Sequence, residues 1–138
     1  MTRVLADFTG HWRIERSIDD RRAGRVGSLL GQAVLSQVPE GLRYDETGLL
    51  QFPGTLPMTA RRSYLWAAER DGIAVRFDDG RAFHRIDLTG LDPQARHDCP
   101  PDTYDVRYDF SRWPDWTSVW QVSGPAKDYV METLYTRV

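Results

Sequence analysis

The chain has 138 residues, of which 41% are hydrophobic and 12% aromatic, and a formal net charge of −2. This length and composition suit one packed domain over residues 1–138 and exclude a disordered chain. The slight acidic excess speaks against a nucleic-acid partner, which calls for a basic face; no apolar run approaches the roughly 18 residues of a membrane span; and a single cysteine, Cys99, leaves no intrachain disulfide.

The first residues, Met1 to Asp7, lack the apolar stretch of a signal peptide, so a cytoplasmic protein is the expectation. Residues 3–8 read as one helical turn that lays Leu5 and Phe8 across an end of the fold. From there the hydrophobic period is two, interrupted at short intervals by Gly and Pro. The first run places Trp12, Ile14, Arg16 and Ile18 on one face. A second covers 28–38. A third, 42–52, keeps Leu42, Tyr44, Glu46, Leu50 and Phe52 in one phase. A fourth, 57–67, aligns Met58, Ala60, Arg62, Tyr64 and Trp66. Asp79-Gly80, between 73–78 and 81–88, is a two-residue hairpin signal. That register opposes Asp78 to Arg81, Phe77 to Ala82, Val75 to His84 and Ile73 to Ile86, so His84 falls on the apolar face. Later runs cover 94–99, 103–110, 115–123 and 128–137, with Tyr104, Val106, Tyr108 and Phe110 sharing one face and Trp116, Trp120 and Val122 another. Arg21, Arg22 and Arg25 lie beside Asp19 and Asp20 and read as a solvated loop.

Eight to ten short strands joined by hairpin-like connections define an all-β fold. The expectation is an up-and-down antiparallel β-barrel with a short N-terminal helical turn, since closure removes exposed edges. A β-sandwich is the runner-up and lacks the long crossover it needs. Gly10-His11-Trp12 near the start and Arg137 near the end would seal one end of the barrel, with the guanidinium stacked on the indole.

These features resemble the calycin superfamily of lipocalins and fatty-acid-binding proteins, through the helical turn, Phe8-Thr9-Gly10-His11-Trp12, the strand count and Arg137. More closely, the chain is similar to an uncharacterised bacterial family of small calycin-like proteins. The shared segments are Tyr44-x-Glu46-x-Gly48, Phe77-x-Asp79-Gly80-Arg81-x-Phe83-His84, His97-x-Cys99-x-x-Asp102-x-Tyr104 and Gly124-Pro125-x-Lys127-Asp128-Tyr129. The resemblance implies the fold and carries no activity with it.

Polar groups in the apolar phase are the anomaly: Arg16, Glu46, Arg62, His84 and His97, with the phenols of Tyr44, Tyr64, Tyr104 and Tyr108. A buried charge without a partner costs several kcal/mol or more, so the barrel must pair these groups or keep a ligand among them. Three functions follow. In the first, an Arg with flanking tyrosines clamps the acid group of a small amphipathic or aromatic ligand, against a wall of Trp66, Phe77, Trp116 and Trp120. Arg16, Tyr44, Arg62, Tyr64, Trp66, Phe77, His97, Tyr104, Tyr108 and Trp120 are the candidate ligand-binding residues. In the second, a cofactor-independent lyase or isomerase uses Glu46, with its pKa raised by burial, or His84 as acid or base. In the third, the barrel is structural, filled by its own Tyr and Trp side chains around a buried network.

No cofactor is expected. His97 and Cys99 supply at most two metal ligands where zinc needs three or four, so no metal is expected either. A haem would have to bind through His84 or His97. Gly124-Pro125-Ala126-Lys127-Asp128-Tyr129 has too few glycines for a phosphate loop and reads as a turn decorated by Lys127, the single lysine. The expected partner is a small-molecule ligand, with no nucleic acid and no membrane, and the protein a monomer or homodimer.

Overall fold

The computed structural model describes residues 3–138. After a 3-10 turn, Leu5–Phe8, ten strands follow: β1 (Gly10–Asp20), β2 (Arg25–Val38), β3 (Gly41–Gln51), β4 (Met58–Glu69), β5 (Gly72–Phe77), β6 (Ala82–Asp87), β7 (Gln94–Cys99), β8 (Asp102–Asp109), β9 (Trp116–Ser123) and β10 (Asp128–Arg137). They form one antiparallel sheet in the order β6-β5-β4-β3-β2-β1-β10-β9-β8-β7. Strands adjacent in sequence thus pair, except β6 and β7, and β1 pairing with β10 joins the two halves. This is the expected up-and-down barrel. Its ends, β6 and β7, come together without a hydrogen-bonded ladder. Rings span that seam, with Phe83 on β6 and Phe77 on β5 each edge-on to His97 on β7, at 5.1 and 5.8 Å between ring centres.

Alternation decides what is inside. Trp12, Ile14 and Arg16 on β1 are buried, as are Leu42, Tyr44 and Glu46 on β3 and Val106 and Tyr108 on β8. On β4 the inward set is incomplete: Trp66 is buried and Tyr64 half-buried, but Met58 and Arg62, expected on the same face, are exposed toward the strand's start. There β4 stays paired with β3 but runs past the end of β5, whose ladder stops at Tyr64 and Phe77, so side chains of inward phase meet solvent at the rim. Gly31 and Gly48 oppose each other on β2 and β3. A Cβ on Gly31 would lie 2.0 Å from the Thr47 carbonyl oxygen, so only glycine permits the sharp coiling there.

One end is sealed as expected. The Arg137 guanidinium lies over the Trp12 ring at 3.9 Å. It donates to the carbonyl of Thr9 at 2.7 Å and to that of Asp7. Trp12 and Arg137 are opposed across β1 and β10. The Trp12 indole N–H donates to the Phe8 carbonyl at 2.9 Å, and Phe8 packs edge-on against Trp66, Phe110, Trp113 and Trp116. The connections at 20–25, 51–58, 77–82, 99–102 and 123–128 gather at the opposite, open end.

The β5–β6 register departs from the expectation. Ile73 opposes Ile86 and Val75 opposes His84, but Ala82 opposes Arg76 across a bulge, not Phe77. The turn is three residues long, Asp78-Asp79-Gly80. Phe77 accepts from the Gly80 N–H and donates to the Arg81 carbonyl, and Gly80 takes a positive φ of 90°. The glycine therefore serves a type I turn with a bulge instead of a two-residue turn. The inserted residue lets Phe83 and His84, consecutive in sequence, both turn inward. No helix among the described residues is long and apolar enough to cross a membrane.

Candidate functional site

The interior holds a charged network built from three strands. Arg16 on β1 and Glu46 on β3 form a bidentate pair, Nη1 to Oε2 and Nη2 to Oε1, both 2.7 Å, with side chains 4% and 2% exposed. Arg16 Nε also donates to Thr133 Oγ1 on β10 at 2.8 Å. The pair spans β2, where Arg16 opposes Leu29 and Glu46 opposes Ala33, and Gly31 between them adds no side chain to hold the two apart. The Tyr44 hydroxyl donates to Glu46 Oε1 at 2.6 Å and therefore accepts from Tyr135, 2.9 Å away. Arg62, opposite Glu46 in the β3–β4 ladder, brings its Nε to 3.4 Å from Glu46 Oε2, with a side chain 39% exposed.

This arrangement corrects one expectation. Burial alone pushes the Glu46 carboxyl up, but the Arg16 fork outweighs it and holds the group below the usual carboxylate range. Glu46 is an internal counter-ion, not a proton donor near neutrality. Burial pushes the phenols of Tyr44, Tyr108 and Tyr135 upward, so these groups stay neutral.

Toward the open end the lining is aromatic. His84 Nε2 lies 2.9 Å from the Tyr108 hydroxyl, and the two rings stack at 6.0 Å. Burial, with His97 nearby, pushes the His84 imidazole down to about 3. Phe83 stacks on Phe77 at 4.3 Å, Tyr64 at 5.7 Å and Trp120 at 5.3 Å. It also meets Tyr104 edge-on. The structure therefore brings together Arg16, Tyr44, Glu46, Arg62, Tyr64, Trp66, His84, Tyr108 and Trp120 around one interior space. Phe77, His97 and Tyr104 stand apart from it and join through Phe83 at the seam and rim.

That space is about 30 Å³, the share of a single water molecule. The barrel is almost filled by its own side chains, and a haem does not fit. Outside it, an open groove of about 480 Å³ runs along the rim between Arg62, Tyr64, Phe77, Asp78, Asp79 and Arg81, and its two carboxylates are paired, Asp78 with Arg43 and Asp79 with Arg81. Arg62 and Tyr64 border both spaces.

Sequence reasoning missed Phe83, Thr133 and Tyr135. The last two were within reach, since Met131, Thr133 and Tyr135 alternate on β10. Phe83 was not, because only the bulge turns it inward. Lys127 does more than decorate its turn: its Nζ sits 3.0 Å from Asp102 Oδ2 and donates to the Tyr104 hydroxyl at 3.3 Å. A Cβ on Gly124 would lie 2.1 Å from Asp102 Oδ1 and would push that carboxylate aside. Among the described residues no group of three or more His, Cys, Asp or Glu is placed to hold a metal ion. His97 is half-buried at the seam and Cys99 is exposed.

Topology and the Trp12–Arg137 seal define an up-and-down β-barrel of ten antiparallel strands. The chain belongs to a family of unknown function (DUF6314), whose profile matches residues 8–137. Among solved structures it is similar to an S-type phycobiliprotein lyase, CPES, from Guillardia theta, with a TM-score of 0.65 and 10% identity over 97% of this chain and 90% of that one. At that identity the likeness is one of fold. No curated protein matches the chain.

Proposed function

We propose that this protein binds a small amphipathic or aromatic acid at the open end of the barrel, with the acid group on Arg62. The observation behind this reading is a charge count. Two guanidiniums, Arg16 and Arg62, face one carboxylate, Glu46, whose oxygens are already taken by the Arg16 fork and by Tyr44. One positive charge is left over, on a side chain that borders both the interior and the rim groove. A fork of donors beside aromatic faces suits a carboxylate on a planar or apolar body. Tyr64, Phe77, Phe83 and Trp120 supply those faces. The clamp expected from Arg16 is occupied by Glu46, so recognition moves outward to Arg62, and the ligand body lies at the mouth instead of deep inside. The exposed thiol of Cys99 suits a reducing, cytoplasmic setting.

The small interior volume favours a second reading, a structural barrel whose network has no ligand. The lyase or isomerase alternative is weaker, because Glu46 is held ionised. The resemblance to a lyase lies in the fold and transfers no chemistry.

Titrating the protein with a panel of fatty and aromatic acids, read by tryptophan fluorescence and melting temperature, separates the first two. Saturable binding of at least one acid is expected, weakened tenfold or more in Arg62→Met at unchanged stability. A panel with no saturable member, or an Arg62→Met variant that binds as well as the parent, would sink the reading.

A further inference from the structure

Two residues of the interior lining each carry a buried side-chain nitrogen with no partner among the described protein atoms, His84 Nδ1 and Trp116 Nε1. Both residues line that space. An indole N–H can only donate, and a neutral imidazole carries one donor and one acceptor. Which His84 nitrogen bears the proton is decided by Tyr108. The Tyr108 hydroxyl makes a single side-chain contact, to His84 Nε2. If it accepted from Nε2–H, its own proton would be left buried with nothing to receive it, as would the lone pair of Nδ1. If it donates to Nε2, the phenol proton and the Nε2 lone pair satisfy each other, and the imidazole proton sits on Nδ1. Burial next to aromatic rings keeps the imidazole neutral, so one nitrogen is always bare and one always protonated.

The lining then has a definite polarity. Glu46 is saturated, and Tyr44 and Tyr135 are tied into its chain. The buried lining atoms that remain unpaired are donors, the Trp116 N–H and the His84 Nδ1–H, and at the rim Arg62 adds the edge that its Glu46 contact leaves free. Unpaired buried donors are costly, and their natural complement is an acceptor oxygen. The space itself, at about 30 Å³, has room for one such atom and little else.

We propose that the ligand is an aromatic oxo acid, its carboxylate on Arg62 and its carbonyl oxygen in the interior space, where the His84 Nδ1–H and the Trp116 Nε1–H donate to it. This rests on the acid-binding reading above and narrows it to a class. Tyr108 then acts as a positioning residue, keeping the His84 proton on the nitrogen that meets the ligand. A site built to donate to an oxygen discriminates strongly against an analogue that lacks it, because its donors are then left unpaired.

The test is a matched pair of probes, 4-benzoylbenzoate and 4-benzylbenzoate, which differ only in having a ketone or a methylene between the rings. Calorimetric titration of the parent protein is expected to favour the ketone at least tenfold. His84→Phe is expected to bind both acids within about threefold of each other, with the acid itself still held. Nitrogen-15 spectra of the parent protein without ligand test the tautomer independently of any variant's folding. They are expected to show Nδ1 protonated and Nε2 bare, with the Nδ1 signal moving when the ketone is added. Equal affinity of the parent for the two acids, or a proton on Nε2, would overturn the inference while leaving acid binding at Arg62 intact. Failure of both acids to bind would overturn the underlying reading and the inference together.

Discussion

Arg137 and Arg62 are both arginines set beside aromatic rings, one at each end of the barrel, and they are held in opposite ways. Arg137 stacks on Trp12 and donates to two main-chain carbonyls of the segment that enters β1. Its ring contact and two of its donors tie the end of the chain to its beginning. Arg62 stands 3.4 Å from a carboxylate already claimed by Arg16, with more than a third of its side chain in solvent. The first pattern is that of a structural clamp and the second that of a group free to act. Residue type alone does not separate them; the count of donors and acceptors around each does.

Substitutions at the two ends sharpen this contrast. The largest loss is expected at the sealed end. Trp12→Ala removes a fully buried indole and the surface Arg137 stacks on, and should cost about 3–5 kcal/mol in denaturant unfolding. Binding should fall only in proportion to the folded fraction. A stable Trp12→Ala variant that had selectively lost binding would place the site at the wrong end.

Next is the network. Glu46→Ala leaves Arg16 buried without its counter-ion and should destabilise by about 3–5 kcal/mol. The double variant Arg16→Met, Glu46→Leu should be markedly more stable than the single one, because it removes both charges together. Equal stability of the two would mean that the pair is not energetically coupled.

The pH dependence has a worked sign. His84, neutral in the folded protein with its pKa near 3, is protonated in the unfolded chain below about 6.5. Stability from keeping it neutral is complete above about 6.5 and is lost as pH falls toward 3, at up to about 1.4 kcal/mol per pH unit. Glu46, held below its usual range, adds a second loss once pH drops beneath the ordinary carboxylate range. His84→Phe should flatten the upper part of this acid limb and leave the lower part. An unchanged slope between about pH 6 and 5 in that variant would contradict a buried neutral His84.

The smallest effect on folding belongs to the open end. Arg62→Met should change stability by no more than about 1 kcal/mol, as expected for a partly exposed ion pair, even as acid binding is lost. A large destabilisation there would make Arg62 a structural clamp like Arg137.

The strands are legible because their signal is local. Trp12, Ile14 and Arg16 alternate with outward residues in a way any short window shows, and Gly and Pro mark where each run stops. The seal is legible because Gly10-His11-Trp12 and Arg137 sit at fixed places relative to the first and last strands. The β5–β6 turn is one residue longer than its sequence suggests, since Asp79-Gly80 serves a two-residue turn and a bulged three-residue turn equally well. That ambiguity hides Phe83, the ring that joins Phe77, Tyr64 and Trp120 at the mouth. The direction of the Glu46 shift is hidden for a different reason. Burial is legible from its phase, but the Arg16 fork that overrides burial depends on two strands separated by a third.

By itself, then, the sequence determined that the chain is an all-β barrel, the inward phase of strands such as β1 and β3, and which end is sealed, since alternation and terminal position are properties of neighbouring residues. The tertiary structure alone decided three other things. It determined which charge answers which, how far the interior is filled, and where donors are left unpaired. These are sums over strands far apart in sequence. Arg62 shows the difference: only the fold reveals that Arg16 has already claimed both oxygens of Glu46.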